Sequence, residues 1–311
     1  MSTRPLILVT CRQMQVELPH HRTRIEELGY QVLAPELGDR QQFSARELGE
    51  FGPRLVGIIA GDDELSREFF AASPRLKTVI RWGIGMDSVD QEAAYGYGVT
   101  VRNTPGVFGQ EVADCAFGYI LMLARGFLEV DAGVRRGEWP KREGITLAGS
   151  RLGIVGMGSI GREIAVRGNG FGMDVVGFDP IASTSPAGVS LVGLDTLLST
   201  SRFIVLACPL NPDTFHLINA DRLATVRPDS YLVNVARGPV VAESDLVCAL
   251  REGRLSGAAL DVFEVEPLPM ASELRTLPNV VLGAHNGSNT RQGVTRASQR
   301  AVDFLIEELS K

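Results

Sequence analysis

The side chains best suited to chemistry lie in the C-terminal part of the chain, at the ends of apolar segments that are long enough to be strands. They are Arg237, Asp261, Glu266 and His285. An arginine can hold a carboxylate through two parallel hydrogen bonds. A histidine passes a proton near neutral pH, and a carboxylate on its other nitrogen orients the ring and stabilises its charged form. The set therefore predicts proton transfer on a substrate that carries a carboxylate, such as a 2-oxo acid.

Each of these residues also has a plain structural interpretation. Taken alone, Arg237 is typical of a strand-end surface charge, Glu266 of a solvated acid before a proline, and His285 of a core histidine. Their grouping favours the catalytic interpretation, because doubly wound sheets bind ligands at the carboxyl ends of their strands. The other three histidines have no such company, and we interpret them as structural or surface residues.

A glycine-rich segment follows the apolar residues 152–155. Gly156 permits a tight strand-to-helix turn, Gly158 lets a pyrophosphate approach the backbone, and Gly161 lets the helix pack close to the strand. The helix begins at Ser159 and Ile160, where free N–H groups and the positive end of the helix dipole can bind phosphate. The segment predicts a dinucleotide site.

Asp179 ends the next apolar segment, 18 residues after Gly161. An acid there can accept hydrogen bonds from an adenosine ribose. The alternative is a loop-end aspartate that caps the next element. Residues 180–189 contain no lysine or arginine to meet a 2′-phosphate, which favours NAD over NADP. Near a nicotinamide, the polar set predicts hydride transfer coupled to proton transfer.

The elements that must position these groups alternate between strand and helix, which predicts parallel sheets with helices on both faces. In the first hundred residues the predicted strands cover 6–10, 31–34, 55–60, 78–82 and 99–101, and the predicted helices cover 21–28, 44–50, 66–72 (capped by Ser66) and 89–95. A six- or seven-stranded sheet should follow, with strands that include 152–155, 173–178, 203–207, 231–235, 257–260 and 280–282, and helices at 159–166, 194–198, 220–225 and 243–251.

Two further helices bear on the domain organisation. Residues 110–134 predict one long helix that is buried on several sides, an interdomain or subunit-packing element. Residues 290–309 predict a last helix that returns to the first domain. The turn Asn103-Thr104-Pro105-Gly106 marks the boundary. The predicted domains are therefore 1–103 plus 288–311, and 104–287.

Composition excludes several classes of protein. The chain has 311 residues, enough for two cores, and a net charge of −6, which argues against a nucleic-acid partner. Its four cysteines lack CxxC spacing, so we expect reduced thiols and neither disulfides nor a metal site. No apolar segment reaches the length of a signal peptide or a membrane span, and we expect a cytoplasmic protein.

Four ordered motifs resemble the D-isomer-specific 2-hydroxyacid dehydrogenase family, over about residues 55–287. They are Arg81-Trp82-Gly83-Ile84-Gly85-Met86-Asp87-Ser88-Val89-Asp90, the glycine segment with Asp179, Asn234-Val235-Ala236-Arg237-Gly238, and Leu260-Asp261-Val262-Phe263-Glu264-Val265-Glu266-Pro267. The resemblance implies an α/β fold of two doubly wound parallel-sheet domains, a flavodoxin-like substrate domain and a Rossmann NAD-binding domain. It also implies NAD as the cofactor and interconversion of a 2-oxo acid with a D-2-hydroxy acid.

The same resemblance assigns roles to residues. Arg237 would bind the substrate's carboxylate and carbonyl, His285 would be the acid/base and Glu266 its partner. The expected substrate-binding residues are Arg81, Gly83, Ile84 and Gly85. The expected cofactor-binding residues are Gly156, Gly158, Ser159, Ile160, Gly161, Asp179, Cys208, Pro209, Thr214, Val235, Ala236, Asp261 (at the nicotinamide amide) and Gly287.

The sequence departs from the family pattern in places that affect the substrate. Ala284 and Asn286 flank His285, where the family usually has a proline and an aliphatic residue. The first motif most resembles the 3-phosphoglycerate dehydrogenase branch. Yet residues 61–64 read Gly-Asp-Asp-Glu where that branch often has a phosphate-binding arginine, and acids there repel a phosphate. Arg81 remains available for a phosphate, but the acidic residues make an unphosphorylated acid such as glyoxylate, hydroxypyruvate or pyruvate at least as good a candidate.

Two other functions remain open. One is a non-catalytic NAD(H)-sensing interaction protein, like the family's corepressor relatives, which the intact set of Arg237, Glu266 and His285 disfavours. The other is a formate dehydrogenase relative, a branch that has a longer chain and a glutamine paired with its histidine. The apolar segment 110–134 predicts a homodimer, and we expect no membrane partner.

Overall fold

Two separate parallel sheets organise the chain, each built from short buried runs of aliphatic residues. The computed structural model describes residues 4–38, 40–182 and 184–311. One unit comprises Met1–Phe108 with Asn289–Lys311, and the other comprises Gly109–Ser288. Both are α/β units with parallel pairing throughout, so the predicted fold class is confirmed.

The described residues of the first unit form a five-stranded sheet in the order β2-β1-β3-β4-β5. Its strands are β1 (Leu6–Val9), β2 (Gln31–Leu33), β3 (Leu55–Ala60), β4 (Thr78–Arg81) and β5 (Thr100–Asn103). Its helices are α1 (Arg12–Glu26), α2 (Ala45–Gly49), α3 (Arg67–Ala72), α4 (Gln91–Gly96) and a returning C-terminal helix, with a 3₁₀ turn at Gly52–Arg54. β1 and β3 are buried along their whole length because both faces of the sheet are covered.

The C-terminal helix spans Arg291–Leu309 in the first unit, where Thr290 caps it by accepting a hydrogen bond from the Gly293 N–H. It packs against α1, β3 and β4. The Trp82 indole N–H donates to the Ser298 hydroxyl across this contact, at 3.0 Å. This unit is therefore discontinuous in sequence.

The described residues of the second unit form a seven-stranded sheet in the order β12-β11-β10-β9-β6-β7-β8. Its strands are β6 (Arg151–Val155), β7 (Asp174–Phe178), β8 (Val189–Leu191), β9 (Phe203–Leu206), β10 (Tyr231–Asn234), β11 (Gly257–Leu260) and β12 (Val280–Leu282). β8 was not predicted, because two of its three residues are exposed and leave no apolar pattern. The strand order reverses at β6 and β9, the place where such sheets bind ligands.

The second unit's helices are α5 (Gly109–Arg125), α6 (Phe127–Arg135), α7 (Ser159–Gly170), α8 (Leu194–Thr200), α9 (Ala220–Leu223) and α10 (Glu243–Arg251), which makes the C-terminal helix α11; 3₁₀ turns lie at Gly238–Val240 and Glu273–Thr276.

The prediction of one helix over 110–134 is wrong. Gly126 separates α5 from α6 with φ +59°, a left-handed conformation that glycine adopts freely. No helix in the part of the chain that the structure describes is long and apolar enough to cross a membrane.

Three smaller differences have local causes. α1 begins at Arg12 rather than at 21, because Pro19 lies inside the helix and hides its first half from a sequence pattern. Ser66 stands at the start of α3, but its side chain makes no capping hydrogen bond. α7 continues to Gly170 rather than ending at 166, and Gly168 lets it approach β6 and β7: a Cβ there would lie 2.8 Å from the Leu152 side chain.

Candidate active site

The glycine turn between β6 and α7 has the geometry of a phosphate site. Gly156 has φ +95°, and a Cβ on it would lie 2.7 Å from the backbone of Cys208. A Cβ on Gly161 would lie 1.9 Å from the Gly156 oxygen, whereas one on Gly158 would meet nothing within 4 Å. Gly158 also leaves the N-terminus of α7, at Ser159 and Ile160, without a side-chain cap. Open space in front of uncapped N–H groups fits a pyrophosphate.

Asp179 follows β7 and ties the neighbouring loops together. Its Oδ2 accepts a hydrogen bond from the Met157 N–H at 2.8 Å, and its Oδ1 accepts one from the Ile181 N–H at 3.0 Å. The second bond closes a turn at residues 179–181 and caps no named element, since β8, the next one, begins at Val189. A carboxylate has about four lone-pair positions, so these two bonds leave acceptor capacity for ribose hydroxyls.

The loop after β9 forms one wall next to the glycine turn. Cys208 is buried against Gly156, and burial raises the pKa of its thiol to about 11. It is therefore a wall residue and not a reactive thiolate. Thr214 closes the same loop, since its hydroxyl donates to the Pro209 carbonyl at 2.7 Å and accepts from the Asn211 N–H at 2.8 Å.

The turn after β10 presents Arg237. Asn234 braces this turn twice: its amide donates to the Arg237 carbonyl at 2.9 Å and its Oδ1 accepts from the Ala236 N–H at 3.0 Å. Asn234, Val235 and Ala236 are buried, and Arg237 is half-buried. The bracing role of Asn234 was not inferred from the sequence, although the residue lies inside a motif that we singled out.

His285 and Glu266 meet at the ends of β12 and β11. His285 Nδ1 lies 2.7 Å from Glu266 Oε2, and Glu266 Oε1 accepts a hydrogen bond from the Phe263 N–H at 2.9 Å. Their side chains are 29% and 23% exposed, so both contact solvent but are mostly covered by the protein. The carboxylate is thus held by the backbone on one oxygen and faces the imidazole with the other.

Asp261 lies at the end of β11 and is buried. Its carboxylate accepts hydrogen bonds from the Tyr119 hydroxyl at 2.8 Å, the Asn286 N–H at 3.1 Å and the Gly287 N–H at 2.8 Å. These bonds hold the backbone that follows His285. The expected contact of Asp261 with a nicotinamide amide stays a prediction.

The residues expected to bind substrate in the first unit lie in the turn after β4. Thr104 holds Gly83 by accepting from its N–H at 2.8 Å, and the Asn103 amide donates to the Ile84 carbonyl at 2.7 Å. Gly85, half-buried, continues this turn. Arg81 is buried, forms an ion pair with Asp62 and donates to the Trp82 carbonyl, so its guanidinium is engaged within the first unit; its role in substrate binding stays a prediction.

The chain is similar to several known proteins. Residues 117–287 match the family model described as D-isomer specific 2-hydroxyacid dehydrogenase, NAD binding domain. A glyoxylate reductase of Thermococcus litoralis is 40% identical over 81% of this chain and 79% of its own. A D-3-phosphoglycerate dehydrogenase of Methanocaldococcus jannaschii is 35% identical over 82% of this chain, which spans only 49% of that relative. The NAD-dependent formate dehydrogenase of Staphylococcus aureus, solved with NAD, superposes with a TM-score of 0.87 at 27% identity, over 97% of this chain and 94% of that one.

Proposed function

The chain belongs to the D-isomer specific 2-hydroxyacid dehydrogenase family, and from that premise we propose that it interconverts a small, unphosphorylated 2-oxo acid and its D-2-hydroxy acid, with His285 as the acid/base. The observation that carries the proposal is the 2.7 Å contact between His285 Nδ1 and Glu266 Oε2. A carboxylate in that place fixes the ring and stabilises its charged form.

NAD fits the second unit. The open space at Gly158 and the uncapped start of α7 suit its pyrophosphate, and Asp179 retains acceptor capacity for its ribose. The loops at Cys208–Pro209 and Val235–Ala236 would flank it. When bound, NAD would provide the hydride acceptor or, when reduced, the hydride donor for C2 of the substrate.

The chain's own residues then bind the substrate and move one proton. Arg237 binds the substrate carboxylate through charge-assisted hydrogen bonds and polarises the carbonyl. In reduction the protonated His285 donates a proton from Nε2, the nitrogen away from Glu266, to the carbonyl oxygen. In oxidation the neutral ring takes the hydroxyl proton back, and Glu266 stabilises the imidazolium that forms.

The preference for an unphosphorylated acid rests on the loop after β3. Asp62 pairs with Arg81, so this loop offers a phosphate a carboxylate and an arginine that is already engaged. The glyoxylate reductase relative supports the same choice. We expect higher kcat/KM with NADH for glyoxylate, hydroxypyruvate or pyruvate than for 3-phosphohydroxypyruvate. A preference for the phosphorylated acid would overturn the substrate assignment, and failure to turn over any 2-oxo acid despite NADH binding would favour the sensing alternative.

Asp179 is expected to set the preference for NADH over NADPH. Its charge repels a 2′-phosphate, and its free acceptor sites suit ribose hydroxyls. Asp179→Ala should therefore lower the ratio of kcat/KM for NADH to that for NADPH. Because the substitution also removes the bond to the Met157 N–H, Asp179→Asn, which keeps an acceptor but no charge, is the matched control. A wild type that uses NADPH more efficiently than NADH would contradict this role.

The charge of Glu266 is expected to shift the pH dependence of both reactions. Reduction needs a protonated His285 and oxidation a neutral one. In Glu266→Gln the charge is lost, and the amide nitrogen can replace the oxygen that faced Nδ1, so the ring gives up its proton at lower pH. The fall in the rate of reduction with rising pH should then occur at a lower pH than in the wild type. Oxidation should remain active at a lower pH than in the wild type. The measurement is kcat/KM against pH for reduction and for oxidation. If the two pH profiles stay in place or move to higher pH in the variant, Glu266 is not the partner of His285.

Association is expected through α6 and the segment after it. α5 is largely buried within the second unit, but Phe127, Leu128, Val134 and Trp139 are 48%, 51%, 47% and 79% exposed. An apolar surface of this kind is typical of a subunit interface. We expect a homodimer by light scattering at micromolar concentration, and Leu128→Glu should shift it toward the monomer. A wild-type monomer would show that these residues serve no such contact.

A further inference from the structure

His285 has an unusual backbone conformation, and Asp261 helps to hold it. Its φ is +51°, in the left-handed region that a residue with a Cβ rarely adopts. The Asp261 carbonyl accepts the His285 N–H at 2.6 Å, and the Asp261 carboxylate accepts the next two N–H groups, of Asn286 and Gly287. The position of the catalytic imidazole therefore depends on where Asp261 is fixed.

Tyr119, on α5, fixes Asp261 from the other side. Its hydroxyl donates to Asp261 Oδ1 at 2.8 Å, and both side chains are buried, at 8% and 2% exposure. A buried carboxylate needs donors for its lone pairs, and this hydroxyl is the side-chain donor that accompanies the two backbone N–H groups. Burial, followed by the charge of Asp261, raises the pKa of Tyr119, which keeps the phenol protonated and able to donate.

Gly283 makes room for this contact. A Cβ at that position would lie 2.2 Å from the Tyr119 hydroxyl oxygen and 2.4 Å from Asp261 Oδ1, closer than any real Cβ contact. Gly283 stands two residues before His285, and its N–H donates to the Leu260 carbonyl at 2.7 Å. Tyr119, Asp261 and Gly283 are therefore packed tightly against one another next to the turn that carries His285.

We propose that Tyr119 is a positioning residue: its hydroxyl, acting through Asp261, fixes the turn of residues 285–287 and thereby sets the imidazole against Glu266. The inference rests on the proposed role of His285 as acid/base. It assigns a function in turnover to a residue of helix α5 whose hydroxyl donates to Asp261.

The test compares Tyr119→Phe with Tyr231→Phe, a matched loss of a hydroxyl from a buried tyrosine of the same unit that stacks on Phe203. Loss of one hydrogen bond to a carboxylate should lower kcat about tenfold in Tyr119→Phe, with KM for the 2-oxo acid and the NADH dissociation constant within about twofold of wild type. Hydrogen exchange at the peptide spanning 283–287 should become faster. Tyr231→Phe should change neither kcat nor the hydrogen exchange of this peptide.

Gly283→Ala is the second variant, because its methyl group pushes against the Tyr119 hydroxyl while Tyr119 itself is retained. It should show the same fall in kcat and the same faster exchange. Unchanged kcat in both variants, or a fall explained by weaker NADH binding, would overturn the proposal. His285→Ala separates the two claims: if it loses activity while Tyr119→Phe does not, only the positioning role fails, and if it retains activity the proposed function fails first.

Discussion

Arg237→Ala is expected to lower kcat/KM for the 2-oxo acid about a hundredfold or more, which corresponds to a loss of about 3 kcal/mol or more in transition-state stabilisation. The guanidinium offers a carboxylate two parallel hydrogen bonds and a full charge, and alanine offers neither. The Asn234 bonds that brace this turn reach only backbone atoms of Ala236 and Arg237, so the turn should keep its shape in the variant. Steady-state kinetics with NADH in excess measures the loss.

Arg237→Lys is the informative control, because it keeps the charge and removes the planar fork. It should lie between the wild type and Arg237→Ala. NADH binding, followed by its fluorescence, should be nearly unchanged in both variants, since the glycine turn lies after a different strand. Wild-type turnover in Arg237→Ala would remove this residue from the substrate site.

His285→Ala is expected to lower kcat about a hundredfold to ten-thousandfold, the range for loss of a positioned general acid or base. The chain provides a matched control in the same unit: His216 Nε2 lies 2.9 Å from Glu264 Oε1, a second histidine–glutamate pair that carries no proposed role. His216→Ala should retain kcat within a few-fold, and NADH binding should survive in both variants. Equal losses in the two variants would show that the His285–Glu266 pair has no special part in the chemistry.

Much of this site could be predicted because a parallel sheet brings the carboxyl ends of its strands to one edge. The glycine turn, Asp179, Arg237, Asp261 and His285 each follow a strand of the same parallel sheet, and alternation of strand and helix was enough to place them there. The same logic explains the pairing of Glu266 with His285, whose residues follow adjacent strands of the sheet.

The features that could not be predicted from the sequence depend on contacts between distant residues and on single backbone angles. Tyr119 lies 142 residues from Asp261, so nothing local indicated their hydrogen bond. Arg81 seemed available because its ion pair with Asp62 forms across neighbouring strands β3 and β4. The break in the helix at 110–134 follows from the φ of Gly126, which a largely apolar pattern does not reveal.

We propose that this chain moves a hydride between NAD and C2 of an unphosphorylated 2-oxo acid and delivers the D product. The most direct test reduces hydroxypyruvate or pyruvate with NADH deuterated at nicotinamide C4 and examines the product by NMR and chiral chromatography. We expect deuterium at C2 of the hydroxy acid and the D enantiomer alone. An L product, or deuterium absent from C2, would contradict it.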